Sequence, residues 1–132
     1  MIAVLAIFFT LKSPYFLTAS NLSAIVRDSA VAGIAGIGLT YVILTAGIDL
    51  STGSVMALAG MVMANIYTYT LIPIPVMILA GLAVGLVCGA INGFVVTKLK
   101  LPEFIATLAT MGIYLSLIHI SEPTRHAQNS YA

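Results

Sequence analysis

The sequence predicts an all-α fold, a polytopic transmembrane helix bundle fragment with about four to five spans. Hydrophobic residues make up 61% of the chain and charged residues only 7%, whereas soluble domains carry roughly 25% charged residues. The mean hydropathy is +1.13. The apolar residues are gathered into runs that approach or reach the roughly 20 residues a helix needs to cross a bilayer.

The apolar runs predict the elements in chain order. Residues 1–11 are too few to cross a bilayer, and we expect them to be the end of a span that begins upstream. In the polar segment that follows, residues 13–30, Pro14 predicts a turn, and a helix is expected from about Leu22. Four further runs predict the remaining spans: Val31–Ile48, Ser51–Tyr69, Val76–Val96 and a run that begins at Pro102.

Charge and turn residues predict how the spans are oriented. Lys98 and Lys100 directly follow the fourth span and indicate its cytoplasmic end, because short loops rich in lysine and arginine stay in the cytoplasm. Pro73 and Pro75 then fall in a periplasmic turn between the third and fourth spans. We expect a multi-pass protein of the bacterial inner (cytoplasmic) membrane.

Composition argues against several function classes. The net charge is +1, so the clustered basic residues of a nucleic-acid interface are missing. The single cysteine, Cys88, stands in an apolar run without metal-ligand spacing, which indicates a small buried hydrophobe. The spans hold no serine–histidine, paired aspartate or histidine–glutamate set of the kind that catalysis uses. We therefore expect a protein that is not an enzyme and that holds no cofactor or metal in this chain.

Small and polar residues inside the spans predict where helices meet. Asn65 and Asn92 are the polar residues expected to form interhelical hydrogen bonds, in preference to contacts with cargo. Glycines at every fourth position form a stripe along the fourth span: Gly81, Gly85, Gly89 and Gly93. This stripe favours a close helix–helix contact, the alternative being that it lines a substrate path.

A polar segment separates the second and third spans: Gly47, Ile48, Asp49, Leu50, Ser51, Gly53 and Ser54. A carboxylate exposed to lipid costs about 2.5–3.5 kcal/mol at the centre of a span, so Asp49 needs protein around it. Asp49, Ser51 and Thr52 are each candidates to cap the helix that follows. Gly47 and Gly53 are expected to permit a sharp backbone path. The alternative is that Asp49 and Ser51 face a permeation path or a subunit contact.

The end of the chain differs from the rest. Leu115–Arg125 resembles, residue for residue, the translation of a transposon-based sequencing-library adapter, and Ser130–Ala132 fits the stretch beyond the adapter's index bases. We therefore expect two regions: residues 1–114, a partial transmembrane domain, and residues 115–132, an adapter-derived tail. The acidic and histidine residues of this tail are then not candidate ligands, acids or bases: His119, Glu122 and His126.

Two segments carry a family resemblance. Residues 40–54 contain the string G-I-D-L-S-T-G-S, and residues 92–111 have the sequence N-G-F-V-V-T-K-L-K-L-P-E-F-I-A-T-L-A-T-M. Both resemble the permease subunits of ribose, xylose and galactose ABC importers, and the resemblance covers about residues 12–114. Glu103 departs from the family pattern, which often has a small residue or proline there. Because the position is expected near the membrane surface, the departure puts little in doubt.

The resemblance implies a set of partners and a function. Residues 1–114 would be part of an ABC sugar permease domain that forms the translocation pathway with a second permease subunit, as a homodimer. A periplasmic binding protein would deliver a monosaccharide, and a separate cytoplasmic ATPase would bind ATP, since this chain has no G-x-x-x-x-G-K-[ST] string. Branched-chain amino acid ABC permeases share the architecture but usually lack the G-I-D-L-S string. A secondary transporter or channel subunit that works without ATP is the remaining alternative.

Overall fold

The computed structural model describes residues 1–69 and 72–121. These residues form five helices and no strand, which confirms the predicted all-α class. Residues 122–132, which include Glu122, His126 and the second adapter-like stretch, lie outside the described residues. The helices are α1 (Ile2–Lys12), α2 (Ala19–Leu44), α3 (Thr52–Tyr69), α4 (Ile74–Lys98) and α5 (Glu103–Ser121).

The chain divides into two compact units, and the first, Met1–Tyr41, holds α1 and most of α2. Thr18 starts α2, because its carbonyl accepts a hydrogen bond from the Leu22 N–H at 2.9 Å. Its Oγ1 also accepts from the Asn21 N–H at 3.4 Å, which is the pattern of an N-cap. α2 therefore begins at Ala19 rather than near Leu22, and most of the predicted polar segment is helical.

The second unit, Val42–Ala132, contains three helices that pack on one another, α3, α4 and α5. Its core contains Leu58, Cys88 and Tyr114, and the Tyr114 hydroxyl donates to the Cys88 carbonyl at 3.3 Å. Cys88 is 4% exposed, which confirms the prediction of a small buried hydrophobe. Most large apolar side chains of these helices face outward, as expected where lipid or further helices cover them.

Among the described residues, three helices are long and apolar enough to cross a membrane: α2, α4 and α5. The polytopic helical class is thereby confirmed, with three of the four to five predicted spans supported by length and composition. α1 has 11 residues, too few to cross a bilayer. α3 has 18 residues, and polar side chains such as Ser54 and Asn65 lower its hydropathy.

α5 continues past Tyr114 to Ser121, so the described part of the predicted tail is helical. Ile118 packs against the core of the second unit. The segment Leu115–Ser121 is rich enough in leucine and isoleucine to extend a helix whatever its origin. The division at residue 114 stays a prediction, and we expect an independent clone of the locus to diverge from this sequence after about Tyr114.

Candidate functional site

α2 ends in a turn that leads directly into the G-I-D-L-S segment. The Gly47 N–H donates to the Val42 carbonyl at 3.1 Å, and the Ala46 N–H donates to the Ile43 carbonyl at 2.9 Å. These two bonds are those of a Schellman motif, in which the residue after the C-cap takes a left-handed conformation and is usually glycine. Here that residue is Ala46, with φ of 60°.

The glycines of this segment do not act as the sequence predicts. No glycine in the described part of the chain has a positive φ, so Gly47 and Gly53 do not shape the turn through conformational freedom. Gly47 instead leaves room for the Glu103 carboxylate, which a Cβ at this position would overlap. At Gly53 an added Cβ would meet nothing within 4 Å.

Asp49 organises the residues between α2 and α3. Its Oδ1 accepts hydrogen bonds from the N–H and the Oγ of Ser51, each at 2.7 Å, and its Oδ2 accepts from Thr52 Oγ1 at 3.3 Å. Ser51 directly precedes α3, and its carbonyl accepts the first helical bond from the Val55 N–H at 2.9 Å. Asp49 thus satisfies donors at the start of α3, as the capping hypothesis requires, but from two residues ahead of the cap.

Asn92 connects α4 to the start of α3. Its Nδ2 donates to Ser51 Oγ at 2.7 Å, and Ser51 is fully buried. Its Oδ1 is buried and has no hydrogen-bond partner among the described residues. Asn65, in contrast, is exposed on α3. The two asparagines predicted to join helices therefore differ, and only Asn92 reaches the site.

Thr107 connects α5 to the same segment. Its Oγ1 accepts from the Leu50 N–H at 3.2 Å and lies 3.2 Å from the Ile48 carbonyl and 2.8 Å from the Glu103 carbonyl. Backbone groups in a bilayer lack water, so this hydroxyl supplies partners that the non-helical segment would otherwise miss. Thr107 is not among the site residues that the sequence predicts. The sequence feature that could have pointed to it is its position in the second resemblance segment, residues 92–111.

Glu103 is the second site residue that was not among the predicted site residues. From the sequence, its departure from the family pattern is expected to matter little. In the structure, however, Glu103 is half-buried in the first turn of α5. Its carboxylate lies against Gly47, and its Oε2 is buried without a hydrogen-bond partner in the part of the chain that the structure describes. The two segments of the resemblance therefore meet at three places: Gly47 with Glu103, Leu50 with Thr107 and Ser51 with Asn92.

A cavity of about 480 Å³ lies beside this junction. Its volume is within the range of roughly 300–1,000 Å³ that is typical of small-molecule sites. Gly89 and Gly93 contribute to its wall, and a second cavity of about 450 Å³ also has Glu103 in its wall. The polar residues of the first cavity are Thr45, Asp49, Asn92, Thr97, Glu103 and Thr107.

The glycine stripe of α4 makes one close contact within the described chain. A Cβ at Gly81 would lie 2.6 Å from Met63 Sδ on α3, and Gly81 is buried. The rest of the stripe, Gly85, Gly89 and Gly93, has nothing within 4 Å of such a Cβ. The stripe is thus a helix contact at its start and a cavity wall at its end, and any further helix contact stays a prediction.

Comparison with known proteins identifies the family. The model of the family described as branched-chain amino acid transport system / permease component matches residues 21–129. The chain is 39% identical over 116 residues to the fructose import permease of Rhizobium meliloti. It is 41% identical over 111 residues to the D-allose transport system permease of Escherichia coli (strain K12). It is 44% identical over 99 residues to the ribose import permease of Haemophilus influenzae.

These three alignments cover 86%, 84% and 75% of this chain, in the same order. They cover 32%, 34% and 30% of the relatives. The chain therefore spans about a third of the length of the curated relatives it matches. No solved structure matches the chain.

The predicted location is confirmed by two findings taken together. α2, α4 and α5 are long and apolar enough to span a membrane, and the relatives are bacterial transport permeases. The chain is thus a multi-pass component of the bacterial inner membrane. Since the family model covers most of its length, the chain belongs to the family of branched-chain amino acid transport system permease components.

Proposed function

We propose that this chain is part of the permease subunit of an ATP-dependent monosaccharide importer, in which it forms one section of the translocation pathway. The observation that supports a pathway is the break between α2 and α3, whose Asp49 lines the 480 Å³ cavity. In membrane proteins, irregular backbone is tolerated where protein covers it or where it lines a cavity. Broken helices in transporters commonly surround the cargo site for this reason.

Monosaccharides are favoured as cargo over branched-chain amino acids for two reasons. The relatives named above are permeases for fructose, D-allose and ribose, whereas the family description names amino acids. An amino acid also brings a carboxylate that needs a cationic or donor partner. Among the described residues, the cavity wall contains the carboxylates of Asp49 and Glu103 and no lysine, arginine or histidine, so it offers a charged partner to an ammonium group and none to a carboxylate. Branched-chain amino acids remain the runner-up.

The same proposal assigns the energy source and the partners to other chains. A second copy of the permease completes the pathway as a homodimer, a cytoplasmic ATPase binds ATP, and a periplasmic binding protein delivers the sugar. The chain is then a conduit, with no catalytic activity and no cofactor of its own. A secondary transporter or channel subunit is the alternative, and it differs in not requiring ATP.

The test is uptake into proteoliposomes that hold an importer whose permease contains this segment, together with its ATPase and binding protein. Labelled D-ribose, D-xylose, D-allose and D-fructose are compared with labelled L-leucine. We expect at least one sugar to accumulate, only with ATP and binding protein present, and leucine to stay outside. Leucine uptake in place of sugar would select the amino acid alternative, and sugar uptake without ATP would select the secondary transporter.

A further inference from the structure

The cavity beside the helix break is rich in hydrogen-bond acceptors and poor in donors. Thr45 Oγ1 donates to the carbonyl three residues earlier at 2.7 Å, and Thr97 Oγ1 donates to the carbonyl four residues earlier at 2.6 Å. Thr107 Oγ1 lies 2.8 Å from the carbonyl of the preceding helical turn. The protons of all three hydroxyls are used within the chain, so their lone pairs are what they can offer to the cavity.

The remaining polar groups of the wall are acceptors, and they differ in whether their oxygens already accept hydrogen bonds. Asp49 accepts three donors from its own segment, which compensates its charge locally. Glu103 Oε2 and Asn92 Oδ1 are buried without a hydrogen-bond partner among the described residues, and Asn92 is only 9% exposed. A buried acceptor without a donor is unfavourable, and a charged one more so.

The described part of the wall offers few donors: one Asn92 amide proton goes to Ser51 Oγ, which leaves the second amide proton. No lysine, arginine or histidine of the described residues lines the cavity, so a bound ligand is a source of the missing donors. A neutral compound with several hydroxyl groups brings donors without needing a counter-charge. A bare metal ion would fill only a small part of about 480 Å³, a volume typical of sites for small organic molecules.

We propose that this cavity is a cargo subsite in which the Glu103 carboxylate and Asn92 Oδ1 accept hydrogen bonds from sugar hydroxyls, and that Glu103 is a specificity-determining residue. The inference rests on the proposed function and adds to it the residues that touch the cargo. A carboxylate forms stronger, charge-assisted bonds with hydroxyl donors than a neutral acceptor does. Gly47 allows this carboxylate to approach the helix break closely.

The test compares each transported sugar with an analogue that lacks a single hydroxyl, in proteoliposomes with the complete importer. The variants are Glu103→Gln, Glu103→Asp and the matched control Asp28→Asn, since Asp28 is exposed and does not line the cavity. For one deoxy analogue, we expect Glu103→Gln to reduce discrimination about tenfold, the effect of losing one charge-assisted bond. We expect partial discrimination with Glu103→Asp and wild-type ratios with Asp28→Asn.

The outcomes separate this inference from the proposed function. If Glu103→Gln accumulates and keeps every wild-type ratio, the cargo subsite is overturned while sugar import stands. If the wild-type importer carries no sugar at all, the proposed function fails and the subsite fails with it.

A second measurement needs no variant and serves if Glu103→Gln does not accumulate. Carboxylates of the wild-type importer are labelled with a water-soluble carbodiimide and an amine, and the labelled residues are identified by mass spectrometry. We expect the transported sugar at saturation to abolish labelling of Glu103 and to leave Asp28 unchanged. Equal labelling of Glu103 with and without sugar would overturn the proposal, as would protection by Na⁺ or K⁺ alone.

Discussion

Two connections in the second unit make similar turns with different chemistry. Residues 45–51 join α2 to α3; this segment includes the fully buried Ser51 and is bonded to α4 and α5 through side chains. Residues 99–102 join α4 to α5 and are exposed throughout. Each connection places a residue other than glycine in the left-handed region, Ala46 with φ of 60° and Lys100 with φ of 54°.

The two connections differ in which groups form hydrogen bonds with their backbone N–H and carbonyl groups. At the exposed connection, water or lipid headgroups can pair with free N–H and carbonyl groups, so few side chains are needed. The α2–α3 connection is buried at Gly47 and Ser51 and half-buried at Asp49. Its covered N–H and carbonyl groups need protein partners, because an unpaired group in a bilayer costs several kcal/mol. Asp49 and Thr107 supply partners for the Ser51 and Leu50 N–H groups, and Asn92 pairs with the buried Ser51 hydroxyl. We therefore expect substitutions at the α2–α3 connection to be much more damaging than those at the α4–α5 connection.

The largest effect is expected from Asp49→Leu, which leaves the Ser51 N–H and two hydroxyls without their acceptor. At about 1–3 kcal/mol for each unsatisfied group, the loss is comparable with the whole stability of many proteins, about 5–15 kcal/mol. We expect the variant to fail to accumulate in membranes. Asp49→Asn keeps an acceptor oxygen and should accumulate and transport nearly normally in the full-length protein.

The measurement is quantitative immunoblotting of membrane fractions, with Asp28→Leu as the control at an exposed carboxylate. Normal accumulation of Asp49→Leu together with lost transport would contradict the structural role and favour a direct role in the pathway.

A smaller effect is expected from Gly47→Ala. Its new Cβ would overlap the Glu103 carboxylate, and displacing that side chain should destabilise the protein by about 1 kcal/mol. Gly53→Ala is the control, because nothing lies within 4 Å of its added Cβ and alanine favours the helix. Thermal unfolding in detergent micelles measures both. The double variant Gly47→Ala with Glu103→Ala should recover stability, and no recovery would show that the clash lies elsewhere.

Asn92→Ala tests the bond between α4 and the start of α3. It removes the 2.7 Å bond to Ser51 Oγ, and hydrogen bonds between transmembrane helices average about 0.6 kcal/mol. We expect a decrease in the unfolding temperature of a few degrees. Asn65→Ala, at an exposed position on α3, should leave the temperature unchanged. Equal decreases for the two variants would remove the distinction between these asparagines.

The smallest effect compares the two left-handed residues directly. Ala46→Gly relieves about 1–2 kcal/mol of left-handed strain and loses about 0.5–1 kcal/mol through the greater freedom of the unfolded chain. We expect a net stabilisation of about 0.5 kcal/mol, measured by unfolding in mixed micelles. Lys100→Gly should gain less, because it also removes a cation near the C-terminus of α4. A destabilised Ala46→Gly would show that the alanine side chain makes a needed contact.

Agreement between sequence and structure is best where the signal is local. The fourth predicted span, Val76–Val96, matches α4 (Ile74–Lys98) to within two residues at each end, because the apolar run is flanked by prolines and lysines. α2 begins at Ala19, well before the predicted span at Val31. Hydropathy locates the apolar part of a helix and is insensitive to polar turns that continue it.

At the site, local reasoning found some residues and misjudged others. Asp49, Ser51 and Asn92 were identifiable because a polar group in an apolar setting needs a partner. The roles of Glu103 and Gly47 were not, because Glu103 stands at a predicted span end where a charge is common. A small residue fits at position 47 because the Glu103 carboxylate lies against it, and not because the φ angle there requires glycine.

By itself the sequence determined that this chain is helical and membrane-embedded, because hydropathy, glycine spacing and flanking charge depend on neighbouring residues. Only the tertiary structure decided that the two resemblance segments meet around one cavity. Leu50 and Thr107 are 57 residues apart in the chain, and Ser51 and Asn92 are 41 residues apart. Contacts at such separations follow from how α3, α4 and α5 pack, which no local pattern specifies.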